Sequence, residues 1–140
     1  MAVLTPETFD FVLTNELKRA LRSQNFVTLV LIEPRGAEPA EGLREIAGLI
    51  DPELRETDLL AVDDTAVSVV LLDADLQNSR RVIDRVVARL EHYQFSTPLD
   101  IQVGAACCPT HGSDAETLKR AAAAARTGLA RQDPRDSAHA

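Results

Sequence analysis

Two apolar runs parted by a short polar break constrain this chain more than any other feature. Leu59–Val62 and Ala66–Leu72 flank Asp63–Asp64. Short runs rich in Val and Leu read as strands, and a tight polar break between them reads as a hairpin turn. Asp-Asp is a weaker turn signal than Asn-Gly, but Asp tolerates positive φ better than most residues. The second run is apolar at nearly every position, which predicts a central strand covered on both faces.

The remaining segments follow in order. Thr5-Pro6-Glu7 opens a helix, with a capping hydroxyl, Pro in the first turn and an acid at the positive end of the dipole. Phe9, Leu13, Leu17, Ala20 and Leu21 continue it at helical spacing. Phe26–Ile32 reads as a strand, Pro34–Ala40 as a loop, and Leu43, Ile46, Ala47 and Ile50 as a helix that Asp51-Pro52 stops. After the hairpin, Asp73-Ala74-Asp75 caps a long helix from about Leu76 to Tyr93. Its core face is Leu76, Val82, Ile83, Val86, Val87 and Leu90. Arg81, Arg85 and Arg89 share the other face at i, i+4, i+8, a like-charge series that Asp84 and Glu91 are placed to offset. Leu99, Ile101, Val103, Ala105 and Cys107 alternate with Asp100, Gln102 and Gly104 as in a half-buried strand. Pro109–Gly112 is a turn, and Ser113-x-x-Glu116 reads as a capping box. A last stripe follows, of Leu118, Ala121, Ala122, Ala125 and Leu129, and Arg131–Ala140 has no apolar pattern and reads as a frayed tail. The order predicts an α+β fold: a ferredoxin-like βαββαβ antiparallel sheet with helices mainly on one face, and extra N- and C-terminal helices.

Length and charge exclude several function classes. The chain has 140 residues, enough for one domain with one sizeable core. No apolar run approaches the roughly 20 residues that span a bilayer, and the N-terminus lacks a signal-peptide pattern, so no membrane insertion and a cytoplasmic location are expected. A net charge of −7 argues against broad binding to nucleic acid or acidic membranes, so an anionic ligand needs a local cluster of positive charge. Lysine occurs only at Lys18 and Lys119. The remaining cations are arginines, suited to bidentate recognition of phosphate and stacking on bases, although an arginine bias also follows from genome composition alone. Cys107 and Cys108 are adjacent and point to opposite strand faces, which reads as buried thiols rather than a disulfide. His92, His111 and His139 share no metal-ligand spacing, and neither a phosphate loop nor a nucleophile elbow occurs. No catalytic residue, metal or cofactor is indicated.

Arg55-Glu56-Thr57-Asp58, the spacer Leu59–Asp63, then Asp64-Thr65-Ala66-Val67-Ser68 and a run of aliphatics resembles the core of a GGDEF domain. That is the diguanylate cyclase family of bacteria, which makes cyclic di-GMP from two GTP. Its pattern runs RxSD, five residues, GGDEF and AVLLP. The slot for GGDEF here holds none of the five letters, whereas Arg55-x-x-Asp58 is present; in the family this element belongs to an inhibitory site that binds cyclic di-GMP. Glu33 and Arg35 fall on the family's metal-binding D-x-D, and the segment that grips guanine is shortened. The Asp of the family's ADxALYxAK falls on Ala122, and its phosphate-binding Lys on Leu129. The strand from Leu99 resembles the family's VTVSIGVA, with Gly104 matched. An arginine that completes the inhibitory site falls on Arg85 if one residue is deleted in the preceding turn.

The resemblance covers roughly residues 4–131 and implies a degenerate GGDEF-like domain at 1–131, followed by a tail at 132–140. Three functions compete. The first is a reader of cyclic di-GMP that holds the ligand at Arg55, Asp58, Arg85 and Arg81 and acts on a protein partner in trans. The second is a ligand-free interaction or homodimerisation scaffold, docking through the first helix or the Pro34–Ala40 loop. The third is a surviving nucleotidyl cyclase.

Overall fold

The computed structural model describes residues 3–129. In order these form α1 (Pro6–Ser23), β1 (Val27–Gly36), α2 (Pro39–Ile50), a 3-10 turn (Asp51–Glu53), β2 (Leu59–Val62), β3 (Val67–Leu72), α3 (Leu76–His92), β4 (Leu99–Cys108), α4 (Ala115–Ala124) and β5 (Thr127–Gly128). The strands make one antiparallel sheet in the order β2-β3-β1-β4-β5. The expected βαββαβ core with flanking helices is what forms. The tail from Arg131, with His139, lies outside the described residues.

The sheet separates two apolar layers. Val30 and Ile32 of β1, Val67, Val69 and Leu71 of β3, and Leu99, Ile101 and Val103 of β4 pack with Leu43, Ile46 and Ile50 of α2 and Val86 and Leu90 of α3. The alternate residues Val27, Leu29, Val70, Leu72, Ala106 and Cys108 pack with Phe9, Leu13 and Leu17 of α1 and Leu118 and Ala122 of α4. The helices of the βαββαβ core thus take one face, and the two flanking helices take the other. Every residue of β3 is buried, Ser68 included, as its nearly continuous apolar run leads one to expect. Cys107 and Cys108 are both buried and free, and burial pushes the Cys108 thiol up from its ordinary value.

Helix ends follow local chemistry. The Thr5 hydroxyl accepts from Thr8 N at 3.3 Å, and Asp75 accepts from Asn78 N at 2.7 Å. Before α4 the cap is Asp114, which accepts from Thr117 N at 2.8 Å, and not Ser113 with Glu116. These bonds to Thr117 hold the Asp114 carboxyl below the usual carboxylate range. Leu21 is exposed, because it sits about 100° around α1 from the buried Ala20.

Three expectations are corrected along the sheet. β1 runs on through Pro34 to Gly36 and pairs with β4 over that whole length. Beyond Ile32 it has no β3 neighbour, and a proline is tolerated where a strand has one free side. The hairpin connection is wider than two residues: Val62 pairs with Val67, and Asp63 closes residues 63–66 by accepting from Thr65 N at 2.7 Å and Ala66 N at 2.8 Å. The positive φ occurs instead at Asp73, at 56°, where the chain turns from β3 towards α3. Finally, α4 stops at Ala124; Leu129 lies past β5, whose entry beside β4 the apolar stripe did not announce.

Gly104 on β4 is where α4 settles on the sheet. A Cβ built there would stand 2.1 Å from Ala122 O. Gly104→Ala is therefore expected to lower stability by about 1–3 kcal/mol through overpacking. Gly48→Ala, at an exposed α2 position with nothing within 4 Å, is expected to add about 1 kcal/mol. Urea unfolding of the two variants checks both, and equal stabilities would contradict the close approach of α4 to β4.

Candidate functional site

The Arg55–Asp58 segment is a closed turn between the 3-10 turn and β2. Asp58 N donates to Arg55 O at 3.0 Å. The Asp58 carboxylate accepts from Arg55 N at 2.9 Å, from Nε at 3.4 Å and from Nη2 at 3.1 Å. Arg55 Nη2 also donates to Leu72 O at 2.7 Å, at the end of β3. The Asp58 side chain is 0% exposed and that of Arg55 is 56% exposed. A buried carboxylate thus anchors one edge of a guanidinium whose remainder faces outward. Removing the acid leaves the Arg55 amide without its acceptor and the guanidinium with Leu72 O alone. Asp58→Ala is expected to cost about 1.5–3 kcal/mol, as for hydrogen bonds to a charged group; thermal unfolding within experimental error of the parent would refute the anchoring role.

Arg81, Arg85 and Arg89 line the exposed side of α3. The expected offset by Asp84 and Glu91 of the same helix is not what pairs Arg85 and Arg89. Their partner is Glu53 of the 3-10 turn. Arg85 Nε lies 3.3 Å from Glu53 Oε2 and Arg89 Nε 3.0 Å from Oε1, and Arg85 Nη2 reaches Glu53 O at 3.4 Å. Glu53 stands two residues before Arg55, so it brings Arg85 to the segment that carries Arg55 and Asp58. Arg81 is one turn earlier on the same face. A cavity of about 370 Å³ lies here, bounded by Leu49, Glu53, Arg85, Arg89, His92 and Tyr93. Sequence marks Arg89 only as a member of the like-charge series and does not mark Glu53, because the pairing crosses from a turn to a helix.

The hairpin end of the sheet holds a second cavity, of about 380 Å³. Phe9, Leu31, Glu33, Asp63, Lys119 and Arg126 are among its walls. Glu33 accepts from Arg126, and Arg35 lies 3.5 Å away. Lys119 pairs with Asp10 and lies 5.8 Å from the centre of the Phe9 ring. Asp63 is occupied by its own turn. Among the described residues no group of three or more His, Cys, Asp or Glu side chains is gathered to hold a metal. Leu129 falls on the family's phosphate lysine, and the cations that border this cavity are Lys119, Arg120 and Arg126, the last anchored by its Nε to Ala123 O at 2.8 Å.

The sequence matches no protein-family profile and no curated protein. Solved structures are similar. The GGDEF domain of YfiN (TpbB) from Pseudomonas aeruginosa is 20% identical, with a TM-score of 0.75 over 88% of this chain and 87% of that one. A diguanylate cyclase protein from Thermotoga maritima is 14% identical, with a TM-score of 0.77 over 90% and 97%. The GGDEF domain of DgcB from Caulobacter crescentus, solved in complex with cyclic di-GMP, is 13% identical, with a TM-score of 0.73 over 87% and 82%. The chain has the fold of the GGDEF domains of diguanylate cyclases. No helix among the described residues is long and apolar enough to cross a membrane.

Proposed function

We propose that this is a non-catalytic signalling domain of GGDEF fold that binds cyclic di-GMP and acts on a protein partner in trans. The observation that carries the reading is the Arg55 guanidinium, fixed along one edge by Asp58 and Leu72 O yet more than half exposed. Arg55, Arg81 and Arg85 supply the ligand contacts, and Asp58 holds Arg55 in position. A guanidinium pairs with phosphate, or with the O6 and N7 edge of guanine, through two parallel hydrogen bonds. Holding the arginine in advance reduces the ordering that binding must impose. The complex of the DgcB domain with cyclic di-GMP supports the choice of ligand.

Synthesis is not proposed for this chain. Two-metal phosphoryl chemistry needs converging acids. In the hairpin slot Ala66 and Val67 coordinate nothing, Asp63 is spent in its turn, and Glu33 is neutralised by Arg126.

Calorimetry tests binding. The parent is expected to bind cyclic di-GMP in the micromolar range, more weakly as salt rises. Arg55→Ala and Arg85→Ala are each expected to lose about tenfold or more in affinity while remaining folded. Incubation with GTP and Mg²⁺ or Mn²⁺ is expected to yield no cyclic dinucleotide. Absence of binding at high ligand concentration ends the reader assignment, and protein-dependent product ends the non-catalytic one.

A second reading, the interaction scaffold, is favoured by α1. Phe11 is 68% and Leu21 44% exposed on its outer side, while the Pro34–Ala40 segment adds no large exposed apolar side chain. A homodimer seen by sedimentation and abolished by Phe11→Ser would support this reading. A monomer at all concentrations would remove the homodimer version of it.

A further inference from the structure

We propose that Glu53 is a built-in competitor for the α3 arginines, and that a phosphate-bearing ligand gains the Nε groups of Arg85 and Arg89 together only by displacing its carboxylate. The inference deepens the cyclic di-GMP reading by adding Arg89 to the ligand contacts and Glu53 as the residue that sets their affinity. The ligand class rests on that reading, whereas the competition itself does not.

Arg85 and Arg89 stand one helical turn apart, where like charges repel. One carboxylate bridges them, each Oε taking one Nε, at 3.3 and 3.0 Å. The arginine side chains are 57% and 53% exposed, whereas that of Glu53 is only 20% exposed. The acid is therefore folded inward against the pair, and the outer edges of both guanidiniums face water. A phosphodiester presents the same two-oxygen edge and the same single charge as the Glu53 carboxylate, pyrophosphate presents it with more charge, and both match the same guanidinium geometry. Both anions cannot hold the two Nε positions at once, so binding there is an exchange.

The exchange also reaches the backbone. Arg85 Nη2 is bonded to Glu53 O at 3.4 Å, and Glu53 ends the 3-10 turn that leads into Arg55–Asp58. A ligand that withdraws Arg85 from Glu53 unties α3 from the segment carrying Arg55. His92 and Tyr93 border the same cavity and bound the space into which a base would extend.

The experiment uses the full chain, its Glu53→Gln variant and the double variant Glu53→Gln/Arg89→Ala. Two probes are titrated by calorimetry, cyclic di-GMP and inorganic pyrophosphate, with the arginine Nε–Hε resonances followed by NMR. Removing the competing charge is expected to raise affinity for pyrophosphate about three- to tenfold and to shift the Arg85 and Arg89 resonances on titration, with the gain lost in the double variant. Should Glu53→Gln fail to fold, Glu53→Asp, which withdraws the carboxylate by one methylene, takes its place with a smaller gain. Unchanged or weaker pyrophosphate binding in a folded variant overturns the proposal, as does a gain that survives Arg89→Ala. If pyrophosphate gains while neither protein binds cyclic di-GMP, the competition stands and the cyclic di-GMP reading falls. If cyclic di-GMP binds both proteins equally and pyrophosphate gains nothing, the reverse holds.

Discussion

The fold depends on burying the central strands from both sides. β1 is paired with β3 and β4, and its alternate residues feed the two apolar layers. Once Leu29 and Val70 face one way and Val30 and Val69 the other, a sheet with helices on a single face would leave an apolar surface in water. At about 25 cal/mol per Å² of apolar area, leaving either layer uncovered is costly on the scale of a domain's net stability. The flanking helices α1 and α4 are therefore part of the core. Phe9, Leu13, Leu17, Leu118 and Ala122 are as buried as any strand residue. A truncation into α1 tests folding before it tests docking.

That requirement also places the candidate site. The β2–β3 hairpin packs between the layers, so the segment entering β2 is drawn against the end of β3, where Arg55 finds Leu72 O. The buried Asp58 gives that segment a fixed internal partner. On the other side of the same turn, Glu53 meets α3, which packs on the sheet through Val86 and Leu90 and so presents its arginines outward. The arginine surface is thus a by-product of two burial constraints that meet at residues 51–58.

Much of this was legible in residue order. The apolar run ending at Leu72, interrupted only by Ser68, marks a strand with two covered faces, and the spacing of Phe9, Leu13 and Leu17 marks the buried line of α1. Local pattern failed where the deciding partner is distant in sequence. Nothing near Pro34 signals that β4 carries β1 on to Gly36. The short β5 has too few residues to show a period, and it exists because β4 offers an open edge. In the same way Arg85 and Arg89 read as a like-charge stripe relieved within the helix, because Glu53 lies more than thirty positions away. Arg55–Asp58 was visible as a spacing, but that Asp58 turns inward while Arg55 stays half exposed follows from the depth of the turn, which spacing does not encode.

A single electrostatic arrangement recurs at both ends of the sheet. The chain carries a net charge of −7, yet the two cavities described above are bordered by arginine. In each, the arginines are paired with the protein's own acids, Arg126 with Glu33 and Arg85 and Arg89 with Glu53. An acidic protein gains nothing from long-range attraction of an anion, so affinity must come from short-range geometry. Self-pairing sharpens that demand. A monovalent anion of poor shape offers the guanidiniums less than the resident carboxylate, and the exchange does not proceed. A phosphodiester that also reaches Arg55 adds contacts that Glu53 cannot match. The two ends then differ in what displacement must overcome. Arg126 is the less exposed cation and is also tied to Ala123 O, whereas Arg85 and Arg89 are more than half in solvent. Exchange of anions is easier where both sides of the pair are already wet. Of the two, the α3 end is therefore the one the proposed exchange favours, because its arginines are the more exposed.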